Sequence, residues 1–202
     1  MKEKNKTKRL HWFNILIDFI PEFLGVLIAL LLAGWFQDSS DNEFINKSIS
    51  SIHYDCETNM KNLKVQDQNM KNQIDTFNHY LYDNKVRVIE IISKNGGIQM
   101  QNMLNSGWKI LERSSLVSKM DYKMLTMLSE MDSYLSHMDF CIKTLTNLVY
   151  TTLNSSSTND KKALIVLFRD GLNISYHMKN SMQRIDSLIL KDYGRTLRKY
   201  KK

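Results

Sequence analysis

The sequence predicts an all-α fold: one N-terminal transmembrane helix followed by an antiparallel bundle of three long helices with short capping helices. Three observations carry that expectation. An uncharged apolar run follows a basic N-terminus. One proline and seven glycines in 202 residues are too few for a turn-rich β protein. Apolar residues also recur at three- and four-residue steps over long stretches without a helix breaker. The expected division is a basic cytoplasmic tail (1–12), a transmembrane helix (13–36), a helical bundle (37–194) and a basic C-terminal tail (195–202).

The anchor comes first. Phe23 to Phe36 (FLGVLIALLLAGWF) carries no charge. Alone it rises about 21 Å, short of a hydrocarbon core of about 30 Å. Extending its start back to Phe13 or Ile15 supplies the missing length and brings in Asp18, Pro21 and Glu22. Trp12 and Trp35 then stand about 34 Å apart, where interfacial aromatics belong. Pro21 either kinks the helix or marks its first turn after a short interfacial helix. A cut after Ala33 would need a small residue where Leu31 stands, so the segment reads as a retained signal anchor rather than a cleaved leader.

Charge sets the expected orientation. Lys2, Lys4, Lys6, Lys8 and Arg9 precede the helix, while Asp38, Asp41 and Glu43 follow it. The positive-inside rule then puts the N-terminus in the cytoplasm and the body outside it. The net charge of +7 comes from the two ends, and residues 37–194 carry none overall. A nucleic-acid-binding domain needs cations clustered on a folded face, so no nucleic-acid partner is expected.

One face of the anchor is informative. Gly25, Ala29 and Ala33 lie four residues apart, and Glu22 and Asp18 continue the stripe. Small residues let two helices approach closely, and an intramembrane carboxylate prefers a protein neighbour to lipid. The stripe reads as a contact face for a second copy or another membrane protein. The bland alternative is that small residues are common in such helices and both carboxylates reach the headgroups.

Beyond the anchor, an amphipathic helix is expected from Asp41, as its cap, to about Asp83, on a stripe including Ile45, Ile49, Ile52, Cys56, Met60 and Leu63. It is open to being continuous with the anchor. Val86 to Ser93 reads as helix because no second strand exists to pair with it. Asn95-Gly96-Gly97 is a turn. Ile98 to Asn105 is expected as a short helix, broken near Ser106-Gly107, with another turn or two from Trp108 to Arg113. A second long helix is expected from Ser115 to Leu153, with Met120, Met124, Met127 and Met131 on its stripe. That methionine stripe reads as core packing, with a pliable partner groove or a soft-metal surface as the alternative. The third long helix starts near Thr158 or Asp160 and ends at Gly194. The expected order is up, down, up.

Two stretches carry a resemblance. Glu22 followed by GVLIAL (Gly25 to Leu30) and Trp35 is one, and LNSGWKILERSSLVSKM (Leu104 to Met120) is the other. Together they resemble a widespread family of short bacterial single-pass membrane proteins without an assigned activity. The resemblance touches about the first two-thirds of the chain. The chain departs from the family at Leu32-Ala33-Gly34, where the family tends to be polar. What the resemblance implies is architecture and a bacterial inner-membrane location, not a mechanism.

The chain has no P-loop, GxGxxG, HExxH or GxSxG pattern, so neither catalysis nor a cofactor is expected. One constellation remains. His53 and Cys56 lie three apart, and His137 and Cys141 four apart. In an up-down hairpin these four and His177 fall in one layer. Buried free thiols are the first reading, since both cysteines lie on apolar stripes. A Cys56–Cys141 disulfide is the second, suited to a body outside the cytoplasm. A metal site built from His53, Cys56, His137, Cys141 and His177 is the third. The function expected on balance is a membrane-anchored bundle that mediates protein contacts as a scaffold, sensor or accessory subunit. A metal-binding or redox-responsive protein and an enzyme of unknown type are the alternatives.

Overall fold

The structure, a computed structural model, describes the backbone of residues 4–200 and the side chains of 21–195, 197 and 198. The described residues are helical apart from turns and one extended connection, with no strand among them. Five α-helices follow in order: α1 Lys4–His79, α2 Val88–Lys94, α3 Ser106–Glu112, α4 Tyr122–Thr152 and α5 Thr158–Tyr200. A 3₁₀ turn, Ser115–Lys119, precedes α4. The chain divides into two compact units after Ile45, so the expected boundary at residue 37 falls inside the first unit.

The first unit contains the apolar helix expected to be the anchor. This helix is long and apolar enough to span a membrane, and its apolar window is 0% buried. Pro21 lies inside the helix rather than at an end, as does Asp41, which therefore caps nothing. Gln37 donates to Asp41 at 2.7 Å one turn on, where the apolar run has ended. The side chains of Trp12 and Asp18 lie outside the described residues.

In the second unit, α1 resumes the stripe expected of it: Ile49, Ile52, Cys56, Leu63, Met70 and Phe77 are all buried. Its contacts fix the directions of the other helices. Lys161 donates to the carbonyls of Tyr80 and Asp83, Lys179 pairs with Asp67, and Asp186 with His53. As α1 ascends, α5 therefore descends. Cys141 meets the Leu167 carbonyl, Tyr134 stacks on His177 and Arg184 reaches Glu130, so α4 also runs opposite to α5. Cys56 meets Met131 and Gln66 meets Met138, so α1 and α4 run parallel. The expected up, down, up order is corrected to up, up, down.

The reason lies in the connection. Residues 98–105, expected as a short helix, are extended and run back along α1. Eight helical residues cover about 12 Å, but eight extended ones cover about 26 Å. That length returns the chain to the level of Asp55, and α4 starts from that end. Gly107 closes the return. Its N–H donates to Asp55 at 3.0 Å, and a Cβ there would lie 2.6 Å from the Ile52 backbone nitrogen. Only glycine fits so close to a helix backbone.

Two further expectations are corrected. The second long helix does not begin at Ser115. It begins after Asp121, whose carboxylate accepts from the backbone N–H groups of Lys123 and Met124. Gly194 does not end α5, which continues to Tyr200 with Leu197 buried. A helix-interior glycine costs about 1 kcal/mol, less than burying a leucine returns. The Asn95-Gly96-Gly97 turn is present, with both glycines at positive φ.

Candidate functional site

The membrane face is the first candidate. Glu22, Gly25, Ala29 and Ala33 are all exposed on α1. A Cβ added at Gly25 would meet nothing within 4 Å, so the face has room for a neighbour. Trp35 and Phe36 pack ring against ring at 5.2 Å at the far end of the run. Asp18, the remaining member of the stripe, has a side chain outside the described residues.

The cysteines and histidines do not share a layer. Cys56 is level with Met131, its sulfur 4.0 Å from the methionine sulfur. Cys141 is ten residues further along α4, about 15 Å by helical rise. A disulfide needs Cα atoms within about 7 Å, so the two cysteines are not paired, and both are free and buried. Parallel packing of α1 and α4 is the cause, because the one-layer expectation assumed a hairpin. His53 bonds Asp186 at 2.5 Å, and Glu57 lies 3.8 Å away on its other side. His177 instead stacks on Tyr134 at 5.8 Å. His137 and Cys141 line a pocket of about 220 Å³ with Phe140, Leu167, Asp170 and Ile174. Among the described residues no three His, Cys, Asp or Glu side chains converge to hold a metal.

Neither thiol is activated. Burial, then the Asp186 and Asp55 carboxylates, push Cys56 up to about 12. Burial, then Asp170, raises Cys141. A nucleophilic cysteine needs the opposite surroundings, cations or a helix N-terminus that favour the thiolate.

The structure reveals a polar row that the apolar-stripe reading passed over. Asp55, Asn59, Gln66, Asn69 and Gln73 are all buried on one side of α1. Their spacing of four, seven, three and four residues keeps them in register along the helix. Asn59 makes a paired contact with Leu104: its amide donates to the carbonyl at 2.7 Å and its oxygen accepts from the N–H at 2.7 Å. Gln66 accepts from the Gln101 N–H, Asn69 from the Gln99 N–H, and Gln73 donates to the Gly97 carbonyl. The amides thus do for 97–104 what a neighbouring strand would do, satisfying backbone groups that burial would otherwise strand. The regular amide spacing was visible in the sequence, but not the partner it serves. Lys161, buried against the carbonyls after α1, was likewise unsignalled, and burial lowers its pKa.

No protein-family model, no curated protein and no solved structure matches this chain.

Proposed function

We propose that this chain is a single-pass membrane protein of a bacterial inner membrane, with its N-terminus cytoplasmic and its helical body outside the cytoplasm. On this reading it is not an enzyme. It takes part in protein contacts as a scaffold, sensor or accessory subunit, through the face carrying Asp18, Glu22, Gly25, Ala29 and Ala33. The body is a bundle of α4, α5 and the second half of α1, with α2 and α3 as short packing elements.

The observation that carries the proposal is the exposure of the anchor. Val26, Leu30, Leu31 and Trp35 are 60–66% exposed on a helix whose window is 0% buried. Such a surface requires lipid or another apolar helix. The small residues and Glu22 favour a helix on their own side, for close approach and for a polar partner in hydrocarbon. Burial raises both thiols, which disfavours the thiolate that a nucleophilic cysteine needs.

Crosslinking in native membranes tests the contact reading. The expected result is a dimer or a defined heteromeric adduct that falls roughly fivefold in Gly25→Leu, because that side chain holds the helices apart. A strictly monomeric protein, unchanged by Gly25→Leu, overturns it.

A further inference from the structure

The sequence left the basic C-terminal segment unexplained, and the direction of α5 gives it a place. Pairing of α5 with α1 runs from Lys161 at Tyr80, through Lys179 at Asp67, to Asp186 at His53. Continued one for one, α5 reaches the level of Asn46 near Tyr193, and the helix goes on to Tyr200. The last turns of α5 therefore lie at the Asn46 end of the body. Asn46 follows Phe36 by ten residues, about 15 Å of helix and at most about 36 Å of extended chain.

The cations at this end share one face. Arg184, Lys191, Arg195 and Arg198 are separated by seven, four and three residues, which keeps them within roughly 60° of arc. All four are exposed. Lys202 continues the spacing in the sequence, beyond the described residues. The upper part of this face forms one wall of an open groove of about 680 Å³ between α4 and α5. Lys123 faces it from α4, and Asn180, Gln183 and Ser187 add neutral donors. Of the acidic groups on α4 and α5, Glu130 pairs with Arg184 at 3.5 Å, and Asp121 and Asp192 flank Tyr193.

We propose that the Lys191, Arg195 and Arg198 face of α5 is a second membrane contact, which binds the headgroups of anionic phospholipids. The occupant follows from charge and reach. A row of cations spaced along a helix suits a sheet of phosphates better than one compact anion. Juxtamembrane clusters of Lys and Arg are held at anionic bilayers in this way. The inference rests on the membrane reading of α1 given above. It does not depend on which side of the membrane the body occupies.

The test uses the full chain in vesicles of neutral phosphatidylcholine, and in the same vesicles with phosphatidylglycerol. Amide hydrogen exchange is followed over residues 188–200. The expected result is roughly tenfold slower exchange in the anionic vesicles, reversed by high salt. The triple variant Lys191→Gln, Arg195→Gln, Arg198→Gln should lose this protection while keeping the helicity and melting temperature of the body, since the three side chains are exposed. Equal exchange in both vesicles overturns the proposal. So does protection by soluble inorganic phosphate in neutral vesicles, which would make the face a site for free anions. A chain that does not partition into either vesicle overturns the membrane reading as well, and flotation separates that failure from the others.

Discussion

Two halves of one helix solve opposite problems. Residues 23–36 of α1 are apolar on every side and exposed on every side. Residues 46–79 are apolar on one stripe, carry a buried amide row beside it, and are covered along both. The first half satisfies its backbone internally and leaves its apolar side chains uncovered, the arrangement a bilayer would require. The second half must meet side chains of complementary shape and polarity. Identical secondary structure therefore carries different energetics, set by what surrounds it.

The sharpest way to break this contrast is to truncate one aromatic in each half. Phe77 is fully buried and packs on Phe168 at 6.0 Å in the core with Val88, Ile91 and Leu164. Phe77→Ala should cost about 3–5 kcal/mol in a urea melt of the body. Phe36→Ala, at an exposed ring, should leave the same melt unchanged to within about 0.5 kcal/mol. Equal losses would mean that the anchor and the body share a core.

A smaller effect is expected from the amide row. Asn59→Leu keeps the volume but leaves the Leu104 N–H and carbonyl without their partner. The cost should be about 1–3 kcal/mol, seen as faster hydrogen exchange at Leu104 and its neighbours before the helices are affected. If exchange there is already fast in the native protein, the amides do not hold the connection. The same exchange experiment on residues 23–36 in vesicles should show protection without any amide row, because there the helix supplies every partner.

The smallest effect is a pH slope. Cys56 has a folded pKa pushed up to about 12, against an ordinary value of 9.0. A raised acid favours its protonated form in the folded state, so this stability is present below about pH 9 and is lost as pH rises toward 12. Between about pH 8 and pH 10.5 the native protein should lose about 1–2 kcal/mol more than Cys56→Ala, read from the two urea midpoints. Parallel slopes would show that Cys56 ionises as easily in the fold as outside it. The anchor holds no thiol and should contribute no such slope.

Legibility follows the same division. The apolar N-terminal run was readable because an uncharged run needs no partner to define it. The stripe Ile49, Ile52, Cys56 and Leu63 was readable because helical period reports a buried face whatever covers it. The direction of α4 was not readable. It turned on residues 98–105, whose helical composition is overruled by hydrogen bonds to Asn59, Gln66, Asn69 and Gln73. Every one of those bonds joins residues at least 24 positions apart. Local propensity carries no information about them. The expected layer of Cys56, Cys141 and three histidines failed with the hairpin it depended on.

By itself, then, the sequence determined an all-helical chain with one segment able to span a membrane, and the apolar faces by which its helices would be covered. Those properties depend on periods of three and four residues and on the hydrophobicity of short windows. Only the tertiary structure decided that α1 and α4 run parallel, that the cysteines are offset by about 15 Å along the bundle, and that α5 runs back toward the Asn46 end of the body. These depend on which distant groups find each other. An extended return of eight residues, satisfied by side-chain amides, is enough to reverse a helix and move every site upon it.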